Sequence, residues 1–70
     1  KWLYHVSLGW LFLSEDGQGG VWIWREPDEW LWTTPEVWPF LWSQQSTDWL
    51  YLIENLTPPR IYDYSIGELR

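Results

Sequence analysis

Seventy residues with a formal net charge of −6 form one small domain at most, with a folded surface expected near roughly 4,700 Å². Lys1, Arg25, Arg60 and Arg70 are the only basic residues and are scattered, which argues against nucleic-acid binding, since phosphate contacts need clustered cations. The absence of cysteine excludes a disulfide framework and a thiolate zinc site.

What the chain has instead is nine Trp, four Tyr and two Phe, with no Ala and no Met. At ~150–250 Å² each, these aromatic side chains carry ~2,300–3,700 Å², too much for an ordinary core of this size. In chain order, the segments Trp2 to His5, Trp10 to Leu13, Val21 to Arg25, Trp30 to Thr33, Phe40 to Ser43, Trp49 to Ile53 and Ile61 to Tyr64 read as strands. Polar turn segments separate them: Ser14 to Gly20, Glu26 to Glu29, Gln44 to Asp48 and Leu56 to Pro59. No stretch sustains a helical period, so the fold class is all-β, a meander of short hairpins. No apolar run approaches the ~20 residues of a membrane helix, and the run from Val37 to Trp42 is broken by Pro39. Lys1 leads straight into Trp2-Leu3-Tyr4 without a Met, which reads as a processed product or a module of a longer protein.

The aromatics recur. Trp2, Trp22, Trp42 and Tyr62 are spaced by twenty residues, as are Tyr4, Trp24 and Tyr64, with Gln44 the exception in that series. Trp10-Leu11-Phe12 returns as Trp30-Leu31-Trp32 and, one residue short, as Trp49-Leu50-Tyr51. This spacing predicts three hairpin units and a final half-unit, stacked into a curled sheet or a short β-solenoid.

Strand parity sharpens the picture, because alternate side chains of a strand point to opposite faces. All fifteen aromatics fall on one parity, while Leu3, Leu11, Leu13, Val21, Ile23, Leu31, Leu41, Leu50, Leu52 and Ile61 fall on the other. Both faces of the sheet are therefore apolar, one aliphatic and one aromatic. A fully open aromatic face would be several times the ~300–600 Å² of a typical monomer's largest apolar patch. Two readings stay open: the curled sheet covers this face itself, or part of it binds a partner.

Little in the sequence carries chemistry. The acidic residues Glu15, Asp16, Glu26, Asp28, Glu29 and Asp48 sit in turns, where they read as solvated charges rather than a glycosidase pair. Glu15-Asp16-Gly17-Gln18-Gly19-Gly20 faintly suggests a calcium loop but lacks the alternating oxygen ligands and the terminal Glu of an EF-hand. His5 is the sole histidine, and no serine sits in a nucleophile elbow, so no catalytic residue, metal ligand or cofactor is nominated. Asn55-Leu56-Thr57 matches the glycosylation acceptor triplet, with Pro58 directly after it.

Gly9-Trp10-Leu11-Phe12, Val21-Trp22-Ile23-Trp24, Glu29-Trp30-Leu31-Trp32-Thr33, Pro39-Phe40-Leu41-Trp42 and Ile61-Tyr62-Asp63-Tyr64 with Gly67-Glu68 together resemble a Trp-rich module. That module closes bacterial exported or surface proteins, and the resemblance, which covers nearly the whole chain, implies an extracellular or cell-surface location. More loosely, the aromatic hairpins are similar to choline-binding and glucan-binding cell-wall repeats. The chain departs from those repeats at Glu29 and Asp48, which stand where Gly9 opens the corresponding first-unit strand. No ligand residue is carried over from them.

The expected function is a non-catalytic binding or attachment module. Trp22, Trp24, Trp30, Trp32 and Trp42 form its aromatic platform, being densest where two hairpin units adjoin. The expected partner is another protein or a second copy. The alternative is a glycan or choline stacked on the indole rings.

Overall fold

Eight strands follow one another in a single antiparallel sheet whose spatial order is the chain order, and the computed structural model describes all residues from Lys1 to Arg70. The strands are β1 (Trp2–His5), β2 (Gly9–Glu15), β3 (Val21–Arg25), β4 (Glu29–Thr33), β5 (Phe40–Ser43), β6 (Asp48–Ile53), β7 (Arg60–Asp63) and β8 (Glu68–Leu69). The chain is all-β, and every connection is a hairpin turn or short loop, as the turn residues require. Its accessible surface, 4764 Å², matches the size scaling for a folded chain of this mass.

Three details differ from the sequence reading. The last segment is a complete hairpin rather than a half-unit, because β8 pairs Leu69 with Tyr62 and Glu68 with Asp63. Tyr64 lies in the β7–β8 turn and not in a strand. Trp38 lies in the β4–β5 loop, where its ring meets His5 at 5.9 Å.

The core is aliphatic. Leu11, Ile23, Leu31, Leu41, Leu50, Leu52 and Ile61 are buried on one face, joined by Leu8 from the β1–β2 turn, and Leu13 and Val21 pack against their edge. Register aligns them, with Ile23 opposite Leu31, Leu41 opposite Leu50 and Leu52 opposite Ile61. Each fully buried leucine contributes about 1.5–3 kcal/mol by leaving water. No aromatic side chain belongs to this core.

A flat single layer would be only ~10 Å thick. The chain instead measures 31 × 24 × 23 Å, so the sheet curls around its aliphatic face. Contacts between distant strands span the curl. His5 Nε2, at the end of β1, comes within 3.9 Å of the Glu54 carboxylate that follows β6. Asp28 in the β3–β4 turn is 4% exposed and is bonded by both Arg25 and Arg70. Arg25 Nε also donates to the Leu8 carbonyl, and Arg70 Nε donates to Asp63 at 3.0 Å. Two cations and two carboxylates thus balance in a half-buried network that ties β3, β7 and the end of β8 together. The sheet does not close: β1 and β8 are both edges, with Leu3 exposed on the aliphatic face of β1 and Leu69, opposite Tyr62, exposed on the aromatic face of β8.

The β1–β2 and β7–β8 hairpins place a glycine in left-handed backbone, Gly9 at φ 82 and Gly67 at φ 69. At the corresponding places in the two middle hairpins Glu29 takes φ 63 and Thr47 takes φ 52. The left-handed residue thus recurs at these two places without a glycine, and the side chains there bear the strain of that region.

Candidate functional site

With the aliphatic parity turned inward, the aromatic parity forms the outer, convex face. Thirteen of the fifteen aromatics lie in strands, and none of the fifteen is fully buried. Exposure is greatest at the β1–β2 edge, with Trp10 at 64% and Trp2 and Tyr4 at 58%. The rings cover one another sideways rather than being covered from above.

The five platform residues separate into two neighbouring cross-strand rows. Trp22 lies opposite Trp32, Trp32 opposite Trp42, and Trp42 opposite Trp49, giving four tryptophans in line across β3 to β6. In the adjoining row Phe12 faces Trp24 and Trp24 faces Trp30. The Gln44 N–H donates to the Trp30 carbonyl and extends this second row past β5.

Within these rows the rings are engaged differently. Trp42 packs edge-on against Trp49 with centroids 5.3 Å apart, and Trp24 meets Trp2 at 6.5 Å. Trp32 is fixed by its indole, whose Nε1 donates to Asp16 Oδ2 at 2.9 Å. Asp16 Oδ1 accepts the backbone N–H groups of Gln18 and Gly20 at 2.7 and 2.9 Å. The Trp32 hydrogen bond, aided by these two, holds the Asp16 carboxyl below its ordinary pKa. Gly20 makes the arrangement possible: a Cβ there would come within 2.5 Å of Asp16 Oδ2 and 2.9 Å of Trp32 Nε1. The loop Asp16 to Gly20 thereby anchors one platform ring, and both oxygens of its carboxylate are occupied in doing so.

Trp22 and Trp30 are not among the ring–ring pairs. Together with Ser14 and Gln44 they line a shallow depression of about 380 Å³ on the outer face. Two further depressions flank it. One is bounded by Val37, Phe40, Asp48, Trp49 and Tyr64, the other by Trp2, Leu8, Gly9, Trp10, Trp24 and Glu26. So the structure brings Trp22 and Trp30 to one depression, gives Trp24 to another, and commits Trp32 and Trp42 to neighbours.

Sequence reasoning missed Trp49, which completes the row of four, and the polar residues Ser14 and Gln44. Gln44 did leave a signal, as the one non-aromatic residue in the Tyr4, Trp24, Tyr64 series. No group of three or more His, Cys, Asp or Glu side chains is arranged to hold a metal ion. No helix is long and apolar enough to cross a membrane. Comparison of the chain with protein-family models, with curated proteins and with solved structures gives no match.

Proposed function

We propose that this chain is a non-catalytic binding or attachment module of the extracellular space or cell surface, built from aromatic hairpin repeats of about twenty residues, that associates through its outer aromatic face. The observation that carries this reading is the division of labour between the faces. The aliphatic side supplies the core, so the aromatic side is left in solvent without being needed to complete it. Large, stiff aromatic side chains lose little freedom on contact and anchor protein interfaces. The opening is widest at the β1 edge, where Trp2, Tyr4 and Trp10 adjoin an unpaired strand able to take up a further β-strand. The resemblance to Trp-rich modules of exported bacterial proteins supports the location.

Sedimentation velocity across a concentration series tests self-association, the simplest form of this reading. Oligomers that dissociate in the Trp2→Ser, Trp10→Ser double variant are expected. A monomer at every concentration, with no capture by surface components of the source cells, would contradict it.

A second reading is that part of the same face stacks carbohydrate. It is favoured by one observation, the two unpaired indoles sharing a depression with a hydroxyl and an amide.

A further inference from the structure

We infer that the trough running from Ser14 through Trp22 and Trp30 to Gln44 binds a neutral oligosaccharide, an inference that deepens the carbohydrate reading and rests on it. The four residues belong to successive parts of the sheet: Ser14 to β2, Trp22 to β3, Trp30 to β4 and Gln44 to the turn just after β5. At a strand spacing of ~4.8 Å the trough therefore crosses about 14 Å of sheet, longer than a single sugar ring. Trp30 is the diagonal neighbour of Trp22, since Trp22 faces Trp32 two residues further on, which sets the two side chains about 7–8 Å apart.

The chemistry of the lining selects the ligand class. A pyranose presents a flat face of C–H groups and a rim of hydroxyls. Trp22 and Trp30 offer flat apolar surfaces not covered by other rings, whereas Trp24 and Trp42 are packed against aromatic neighbours. Trp32 is the one indole whose N–H is satisfied within the chain, so those of Trp22 and Trp30 are free to donate. The Ser14 hydroxyl and Gln44 amide each give and accept hydrogen bonds, and both are exposed and unengaged. A purely apolar partner would leave these polar groups buried without mates, at a cost of about 1–3 kcal/mol each. None of the four lining residues is ionisable, although the chain carries ten acidic side chains. An uncharged, hydroxyl-rich ligand fits on both counts. Trp32, whose indole is held by Asp16, is not among the residues that line the trough.

The test is titration of the intact chain with cellohexaose, laminarihexaose, xylohexaose and maltohexaose, followed by tryptophan emission and by calorimetry. Saturable binding of at least one probe is expected. Trp22→Ala and Trp30→Ala should each weaken it about tenfold or more, and Gln44→Ala by about threefold to tenfold. Trp22→Phe and Trp30→Phe, which keep a ring in the sheet, should lose less. The exposed turn variant Val6→Ser should bind as the parent does, and circular dichroism of each variant should retain the parent spectrum. No saturable binding of any probe up to about 10 mM overturns the inference. So does binding that survives in Trp22→Ala and Trp30→Ala but disappears in Trp10→Ala, a result that leaves the carbohydrate reading standing at another place on the face.

Discussion

The inner and outer faces of this sheet divide the apolar residues by shape. Inside the curl, leucine and isoleucine from β2 to β7 interlock at almost zero exposure. Outside, the tryptophans stand in rows with their flanks covered by one another and their tops in water. Aliphatic side chains of similar volume pack into a tightly curved interior, which large flat rings on adjacent strands would overfill. The convex side spreads its side chains apart and has room for the rings. The residues that dominate the composition are therefore not those that form the buried core.

That contrast can be broken most sharply from the inside. Leu31→Ala removes a side chain with no exposed surface and should destabilise the chain by about 3–5 kcal/mol in urea unfolding. Trp22→Ala, a larger deletion on the outer face, should cost only about 1 kcal/mol because the ring lacks a packed partner above it. Equal costs for the two would erase the distinction between the faces.

Next in size is the ion network that spans the curl. Asp28→Asn leaves the Arg25 and Arg70 guanidinium groups beside a neutral amide. A fully buried pair broken this way costs about 3–5 kcal/mol; with Arg70 partly in solvent, about 2–3 kcal/mol is expected here. Arg70→Ala should cost less than Asp28→Asn, since it leaves Asp28 paired with Arg25.

A smaller effect follows acidification. Burial pushes the Asp63 carboxyl up, but the Ser65 hydroxyl and N–H and the Arg70 guanidinium outweigh it and hold the pKa below the ordinary value. Asp16 is lowered too, chiefly by the Trp32 indole. For a carboxyl lowered in the folded state, the stabilisation is complete above the unfolded value and is lost as pH falls through the folded one. Thermal midpoints should therefore hold steady above pH 3.8 and drop below it, and the drop should shrink in Asp63→Asn.

The smallest effect has the opposite sign. Glu29→Gly removes a left-handed side-chain strain of roughly 1–2 kcal/mol at an added chain-entropy cost of roughly 0.5–1 kcal/mol. A net gain of about 0.5–1 kcal/mol is expected, read as a rise in the urea midpoint.

Parity made the aliphatic core legible in the sequence, because alternation in segments such as Val21 to Arg25 assigns each side chain to a face without any tertiary knowledge. Strand β8 was not legible, since Glu68-Leu69 is two residues long and acquires its strand character only from Tyr62 and Asp63 opposite. Nor was the network around Asp28, whose partner Arg70 lies forty-two residues away and arrives only through the curl. The five platform tryptophans could be named from spacing. Which of them keep open rings depends on side-chain pairings such as Trp32 with Asp16, and those are set by a loop geometry that needs Gly20.

The aromatic face is in water while the aliphatic face is not. Hydroxyl-radical footprinting of the native chain at dilution, read residue by residue by mass spectrometry, measures this directly. Fast oxidation at Trp2 and Trp10, clear oxidation at Trp22 and Trp30, and background levels at Leu31, Leu41 and Leu50 are predicted. Protection of Trp22 and Trp30 together with oxidation of the three leucines would contradict the account.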